Sequence, residues 1–279
     1  MANYTAADIK ALRERTGAGM MDVKKALDEA NGDADKAVEI IRIKGLKGAT
    51  KREGRSTAEG LVAATVVDGT VGYMVEVNCE TDFVAKNEKF IALANKVLEV
   101  AVASGAADLE TLLAADVDGK TLGDYVVEEG AVLGEKVVVR RLARVEGATV
   151  DAYLHKTSKD LPAQVGVLLS VDGSGEAAQT VAHDVAVHTA AMAPTYVSRD
   201  EVPAETVENE RRIADETARA EGKPEAALTK IVEGRLTGFF KEIVLVDQAF
   251  AKDAKKTVGK VLDEAGVAAT GFARFRVGS

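Results

Sequence analysis

Tryptophan is absent from this chain, cysteine occurs once, and aromatic residues fill only 4% of its 279 positions. The lone Cys79 excludes an intramolecular disulfide framework and fits a reducing compartment. With so few aromatics, a core has to be built from Ala, Val, Leu and Ile, and a 47% hydrophobic content is enough to bury one. Basic residues are in deficit: 36 Lys and Arg stand against 45 Asp and Glu, a formal net charge of −9. That balance speaks against a general nucleic-acid binder, whose phosphate contacts need clustered cations. No window approaches the roughly 18 consecutive apolar residues of a membrane-spanning helix. The opening Met-Ala-Asn-Tyr-Thr-Ala-Ala-Asp has no basic segment leading into an apolar run, so no secretory signal is expected. The expectation is a cytoplasmic protein that contacts neither membrane nor nucleic acid directly.

The chemistry that would mark an enzyme is also missing. Gly119-Lys120-Thr121 has Ala114 where a phosphate-binding loop needs its first glycine. Gly17-Ala18-Gly19 lacks the third glycine of a dinucleotide fingerprint and precedes any strand. His183 and His188 are five apart rather than the four that put two ligands on one helix face, and they read as solvated or core-edge residues. Cys79 falls at a strand end, where a small buried thiol is the simpler reading than a nucleophile. Glu80 and Asp82 could do acid–base work, but nothing around them specifies a substrate pocket.

What the chain does carry is an ordered series of periodicities. Thr5-Ala-Ala-Asp8 fits a capping box. After it, Ile9 and Leu12, then Val23, Ala26, Leu27 and Ala30, then Ala34, Ala37, Val38 and Ile41 mark three short amphipathic helices, a small bundle with a marginal core. A basic connector follows, with Lys44, Lys47, Lys51, Arg52 and Arg55 among Gly45, Gly48 and Gly54; it could make an electrostatic contact to a partner or RNA, but charge runs with glycine read first as a solvated linker that keeps the bundle mobile. From residue 60 the period becomes strand-like. Leu61 to Val67 and Val71 to Val77 flank the turn signal Asp68-Gly69. A loop from Asn78 to Asn87 leads into a helix through Phe90, Leu93, Ala94, Val97, Leu98 and Ala101. Short helices near 107–115 and 121–129 and a strand from Lys136 to Val145 come next. The hairpin-and-helix unit recurs as strands Ala148 to Leu154 and Gln164 to Val171 and a helix from Ala177 to Met192, stopped at Pro194. Residues 204–240 read as two charged helices around Glu221-Gly222-Lys223-Pro224. In this arm Val207, Ala214 and Ala218 would face Leu228, Ile231, Val232 and Phe239. A helix from Thr257 to Glu264 and a strand from Gly271 to Val277 would return to the second sheet.

The expected fold class is therefore α+β. Residues 1–55 form the bundle and linker, 56–140 one half of a duplicated core with antiparallel sheets, and 141–279 the other half with the helical-hairpin arm inserted. The loop holds one ambiguous feature. Phe83, in Thr81-Asp82-Phe83-Val84, lies seven residues before Phe90, so helical spacing could tuck it into the core; equally it could stand out as a wedge beside a carboxylate.

Two longer segments resemble a known family. Leu12-Arg13-Glu14-Arg15-Thr16-Gly17-Ala18-Gly19-Met20-Met21-Asp22-Val23-Lys24-Lys25-Ala26-Leu27 and Glu76-Val77-Asn78-Cys79-Glu80-Thr81-Asp82-Phe83-Val84-Ala85-Lys86-Asn87 are similar to the two signatures of elongation factor Ts. Val232-Glu233-Gly234-Arg235 and Thr270-Gly271-Phe272 extend the resemblance along the chain. It implies a ubiquitin-associated-like three-helix bundle, a duplicated core, a coiled-coil arm, and elongation factor Tu as partner. It also implies guanine nucleotide exchange without covalent chemistry, with no cofactor of its own, acting on the GDP and Mg²⁺ that the partner holds. The family's segment that reaches toward that Mg²⁺ site matches Thr81, Asp82, Phe83 and Val84. Contact positions of its bundle match Arg13, Met20 and Met21; a methionine could instead pack in the bundle core, but two adjacent residues on a helix cannot both point inward, so at least one is available to a partner, and Arg13 on the polar side could simply be solvated. A histidine of the second core half matches His155, with Lys156-Thr157-Ser158 departing from the usual sequence after it. Some members carry a further C-terminal helical module, whose contact is expected to be missing from a chain ending at Ser279. Against this reading stand an adaptor that uses the bundle to bind a ubiquitin-like or ribosomal partner, and a hydrolase built on Glu80 and Asp82.

Overall fold

Thr5 opens the first helix by exchanging bonds with Asp8: its amide donates to Asp8 Oδ2 at 2.7 Å, and the Asp8 amide donates to Thr5 Oγ1 at 3.3 Å. This is the reciprocal cap that the sequence predicts. The structure, a computed structural model, describes residues 3–16, 18, 20–52 and 54–279, with the side chains of 14 and 46–51 not included. Gly17 and Gly19, part of the first family signature, and the side chains of Lys47 and Lys51 lie outside the described residues. Helices α1 (Ala6–Thr16), α2 (Met20–Glu29) and α3 (Ala34–Arg52) enclose Leu12, Val23, Leu27, Ala37 and Ile41. Asn31 and Gly32, both at positive φ, turn the chain between α2 and α3, and Asp33 Oδ1 accepts the amides of Asp35 and Lys36 to start α3.

The basic connector is not a linker. Helix α3 continues without interruption through Lys44 and Gly45 to Arg52. Lys44 pairs with Glu29, and the Arg52 guanidinium donates to the Gly45 carbonyl at 2.9 Å. Gly45 is a point of close approach, because a Cβ there would sit 2.6 Å from the Ala131 Cβ.

The first core half begins with strands β1 (Glu59–Val67) and β2 (Val71–Cys79), joined through Asp68 and Gly69 at φ 51° and 71°. The expected loop from Asn78 to Asn87 is shorter than predicted. Strand β2 runs on to Cys79, and Asp82–Ala85 form one helical turn, α4. Asn87 then caps α5 (Glu88–Ser104), which ends at Gly105 in the left-handed region. Helix α6 (Leu109–Ala114), the two-residue strands β3 (Asp116–Val117) and β4 (Lys120–Thr121), and α7 (Leu122–Leu133) lead to β5 (Val138–Glu146). Thr121, in the sequence that resembles half a phosphate loop, caps α7. Antiparallel pairing gives the order β1-β2-β5, and β5 extends this sheet past the division expected at 140.

The second half repeats the plan. Strands β6 (Thr149–His155) and β7 (Val165–Val171) precede α8 (Glu176–Met192), which stops at Ala193 in the left-handed region. Helices α9 (Ala204–Ala220) and α10 (Glu225–Ile243) form the arm. Their contact buries Ala214, Val232 and Leu236, with Val207 and Phe240 packed alongside. Phe240 takes the place expected for Phe239, because 228, 232, 236 and 240 share the i+4 row. A short hairpin absent from the sequence reading, β8 (Ala249–Phe250) and β9 (Asp253–Thr257), precedes α11 (Val258–Glu264) and β10 (Ala269–Arg276). Strand β10 returns to the second sheet in the order β10-β7-β6.

His188 is neither solvated nor at the core edge; it is fully buried. Its Nδ1 accepts the Ala251 amide at 3.1 Å, which leaves Nε2 to donate to Gln248 Oε1 at 2.9 Å. Burial pushes its pKa down, so the neutral ring ties the β8–β9 hairpin to α8.

The two sheets pack face to face, with helices outside. On β2, Tyr73, Val75, Val77 and Cys79 face the cluster that includes Phe90, Leu93 and Val97 of α5. On β7, Val165, Val167, Leu169 and Val171 face α8 and α11. The alternate residues Val62, Met74, Leu168 and Phe275 meet between the sheets. Gly166 allows the approach, since a Cβ there would lie 2.5 Å from Val62 Cγ1 and 2.7 Å from Met74 Sδ. The same layer holds Glu76, 0% exposed, which accepts from Arg141 Nε at 2.7 Å and Asn78 Nδ2 at 3.1 Å. Arg141 stacks over the Phe275 ring at 4.5 Å. Leu168→Ala is expected to destabilise the core by about 2–5 kcal/mol in urea unfolding, through lost contact and the cavity left behind. A change within about 0.5 kcal/mol, the range of ordinary surface substitutions, would mean that the sheets do not share this layer.

Candidate partner-binding surface

Strand β2 ends at the buried Cys79, and the chain turns at once into α4. Two carboxylates hold this turn from opposite sides. Glu135, just beyond α7, accepts the amides of Glu80 and Thr81 on Oε2 at 3.0 and 3.1 Å and the Thr81 hydroxyl on Oε1 at 2.6 Å. Glu80 in return accepts the Lys136 amide at 2.7 Å and pairs with Arg55 at 3.1 Å. The Thr81 hydroxyl also accepts the Val84 amide at 3.4 Å, which caps α4. Glu80 is thus engaged in holding backbone.

The ambiguity over Phe83 is resolved by the position of the helical turn. Ala85 and Phe90 are fully buried, whereas Phe83 is 72% exposed. Val84 packs partly against the first core half. Asp82 is about half exposed and pairs with Lys86 at 3.2 Å, and the same ammonium lies 4.7 Å from the centre of the Phe83 ring. Of the four matched residues, Asp82 and Phe83 face outward, while Thr81 and Val84 fasten the turn that carries them.

The other candidates lie elsewhere. Met20 and Met21, 57% and 62% exposed, begin α2. Neither packs in the bundle, whose α2 contribution is Val23, Ala26 and Leu27. Arg13 is exposed on α1. His155 is exposed at the end of the edge strand β6, with Nδ1 3.2 Å from the Tyr153 hydroxyl. A groove of about 440 Å³ brings its neighbours toward the Phe83 turn: Lys86 and Ile91 form part of its lining, with Leu154 and Lys156. Arg13 and the methionines belong to the separate bundle. Sequence reasoning missed Glu135 altogether, because a carboxylate after a helix has no local signature when its partners are 54 and 55 residues away.

Among the described residues, no group of three or more His, Cys, Asp or Glu side chains is placed to hold a metal ion, and no helix is long and apolar enough to cross a membrane. Burial, then the nearby Glu135 charge, pushes the Cys79 thiol up to about 12. His183 pairs with Asp151 at 3.1 Å. Exposed large apolar side chains at the start of α2 and on the fastened 80–84 turn are the kind of feature that marks protein–protein interaction surfaces.

Comparison with known proteins gives the family. The family model described as elongation factor TS matches residues 80–279. An elongation factor Ts of Pseudarthrobacter chlorophenolicus is 81% identical over 279 residues, one of Micrococcus luteus 80%, and one of Kineococcus radiotolerans 57%, each covering all of both chains. The chain belongs to the elongation factor Ts family, and its class is that of the translation elongation factors. At pH 8 Cys79 is expected to react with dithiobis(nitrobenzoate) only after denaturant is added, because the thiol is both covered and protonated. Stoichiometric labelling of the folded protein within minutes would contradict this geometry.

Proposed function

We propose that this protein is a guanine nucleotide exchange factor that binds elongation factor Tu with GDP and promotes GDP release so that GTP can enter. The observation that carries the reading is Phe83, a large aromatic 72% exposed beside a carboxylate on a fastened turn, in a chain of this family. In this mechanism Phe83 enters a gap between partner helices, and Asp82 disturbs the water and ligand shell of the partner's Mg²⁺. That ion demands near-ideal octahedral geometry and bridges phosphate oxygens, so a small displacement of its ligands weakens nucleotide binding.

Burying one Phe is worth roughly 1.5–3 kcal/mol, which is about one to two powers of ten if used only against the GDP-bound state. The wider interface supplies the rest. In this reading Met20, Met21 and Arg13 meet the partner's nucleotide-binding domain, and His155 contributes from the second core half. Linkage makes the effect reciprocal: GDP weakens binding of this protein as much as this protein weakens binding of GDP. No covalent step is involved, GDP and Mg²⁺ belong to the partner, and the site of action is the cytoplasm.

The test is release of a fluorescent GDP analogue from elongation factor Tu, with excess unlabelled GDP and catalytic amounts of this protein. Wild-type protein is expected to accelerate release strongly. Phe83→Ala should slow the accelerated rate by about one to two powers of ten while its unfolding stays within about 0.5 kcal/mol of wild type, as for an exposed side chain. No acceleration by the folded wild-type protein would favour the adaptor reading. An unaffected Phe83→Ala would remove Phe83 from the mechanism.

A further inference from the structure

Phe83 projects from the surface with Lys86 as its aromatic-face neighbour, so its direction has to be set by the backbone beneath it. That backbone is held by one carboxylate from a distant segment. Glu135 receives three donors from the two residues preceding Asp82, and the shortest is the 2.6 Å bond from the Thr81 hydroxyl. Spending the hydroxyl proton on Glu135 leaves its lone pair to accept the Val84 amide, so the start of α4 depends on the same carboxylate. Glu80 closes the pair from the other side through the Lys136 amide. The segment bearing Glu135 is itself anchored. Helix α7 places Ala131 against Gly45 of α3 and Glu128 between Arg42 and Lys120. One scaffold therefore carries both the bundle helix and the turn.

We propose that Glu135 is a positioning residue for exchange: it holds the 80–84 backbone so that Asp82 and Phe83 meet the partner already oriented. The proposal rests on the reading of Phe83 as the wedge. Charge-assisted bonds of this kind are the strong ones, and a preorganised element avoids ordering itself on binding. Glu135→Gln keeps the shape but removes the charge: its amide oxygen can still accept the two backbone amides, while its NH2 can only donate to the Thr81 hydroxyl, which then turns its own proton elsewhere, so charge-assisted bonds become neutral ones.

The experiment is a double-mutant cycle on GDP-analogue release, using the full chain and elongation factor Tu. Glu135→Gln is expected to lower the maximal accelerated rate roughly tenfold, the scale of one lost charge-assisted bond. The partner concentration giving half-maximal effect should change far less, since most of the interface is intact. In the Phe83→Ala background the same substitution should have a clearly smaller effect than in the wild type, because a positioning residue acts through the groups it positions and only Asp82 then remains. Full wild-type rates in Glu135→Gln, or effects that multiply in the double variant, would overturn the proposal while leaving the exchange reading in place. If Phe83→Ala alone exchanges at the wild-type rate, the wedge reading fails and this inference falls with it. Should Glu135→Gln not fold, Thr81→Val removes the hydroxyl donor from the opposite side and must show the same non-additivity with Phe83→Ala.

Discussion

Strand β2 is buried on both faces, and the architecture follows from that constraint. One face of the strand needs α5, and the other needs the second sheet. An antiparallel sheet more often leaves one face to water. Here duplication supplies a second sheet whose central strand, β7, has the same requirement, so the two halves satisfy each other and the helices close the outside. The layer between them is thin where Gly166 lies and polar where Glu76, Arg141 and Asn78 meet. Glu76 is fully buried, so losing Arg141 would leave its charge uncompensated; the pair joins β5 to β2 within the first sheet, and Arg141 reaches the second sheet through the Phe275 ring and the Arg276 carbonyl.

The candidate surface inherits its order from this core. Strand β2 delivers Cys79 into the interior, and the next residues must turn outward. Glu135 and Glu80 use their charges to hold that turn, which leaves Asp82 and Phe83 to face solvent. The same α7 that leads to Glu135 packs against α3, so the bundle carrying Met20 and Met21 is joined through a helix rather than a flexible tether. Three large apolar side chains thus stand exposed on elements that are fastened beneath them.

Groups that could have suggested an enzyme have structural employment. Cys79 is sealed and protonated, His188 links α8 to the β8–β9 hairpin, His183 pairs with Asp151, and Glu80 holds backbone.

Local features were legible in the sequence because local rules govern them: the Thr5–Asp8 cap, the Asp68–Gly69 turn, the two helices around Gly222 and Pro224, and the β-branched, apolar runs of β1, β2 and β7. The signatures around Met20 and Phe83 likewise announced the family. Tertiary structure decided what depends on distant partners. Lys44 to Arg52 had the composition of a linker, yet the chain stays helical to Arg52 and Gly45 packs against Ala131 of α7. Phe83 could face inward or outward by spacing alone, and the start of α4 at Asp82 turned it outward. Glu135 had no signature at all, since four helices and two short strands, α4 to α7 with β3 and β4, separate it from its donors. Periodicity and capping are written within a few residues and can be read there; a close approach or a carboxylate's choice of amides exists only once the elements have come together.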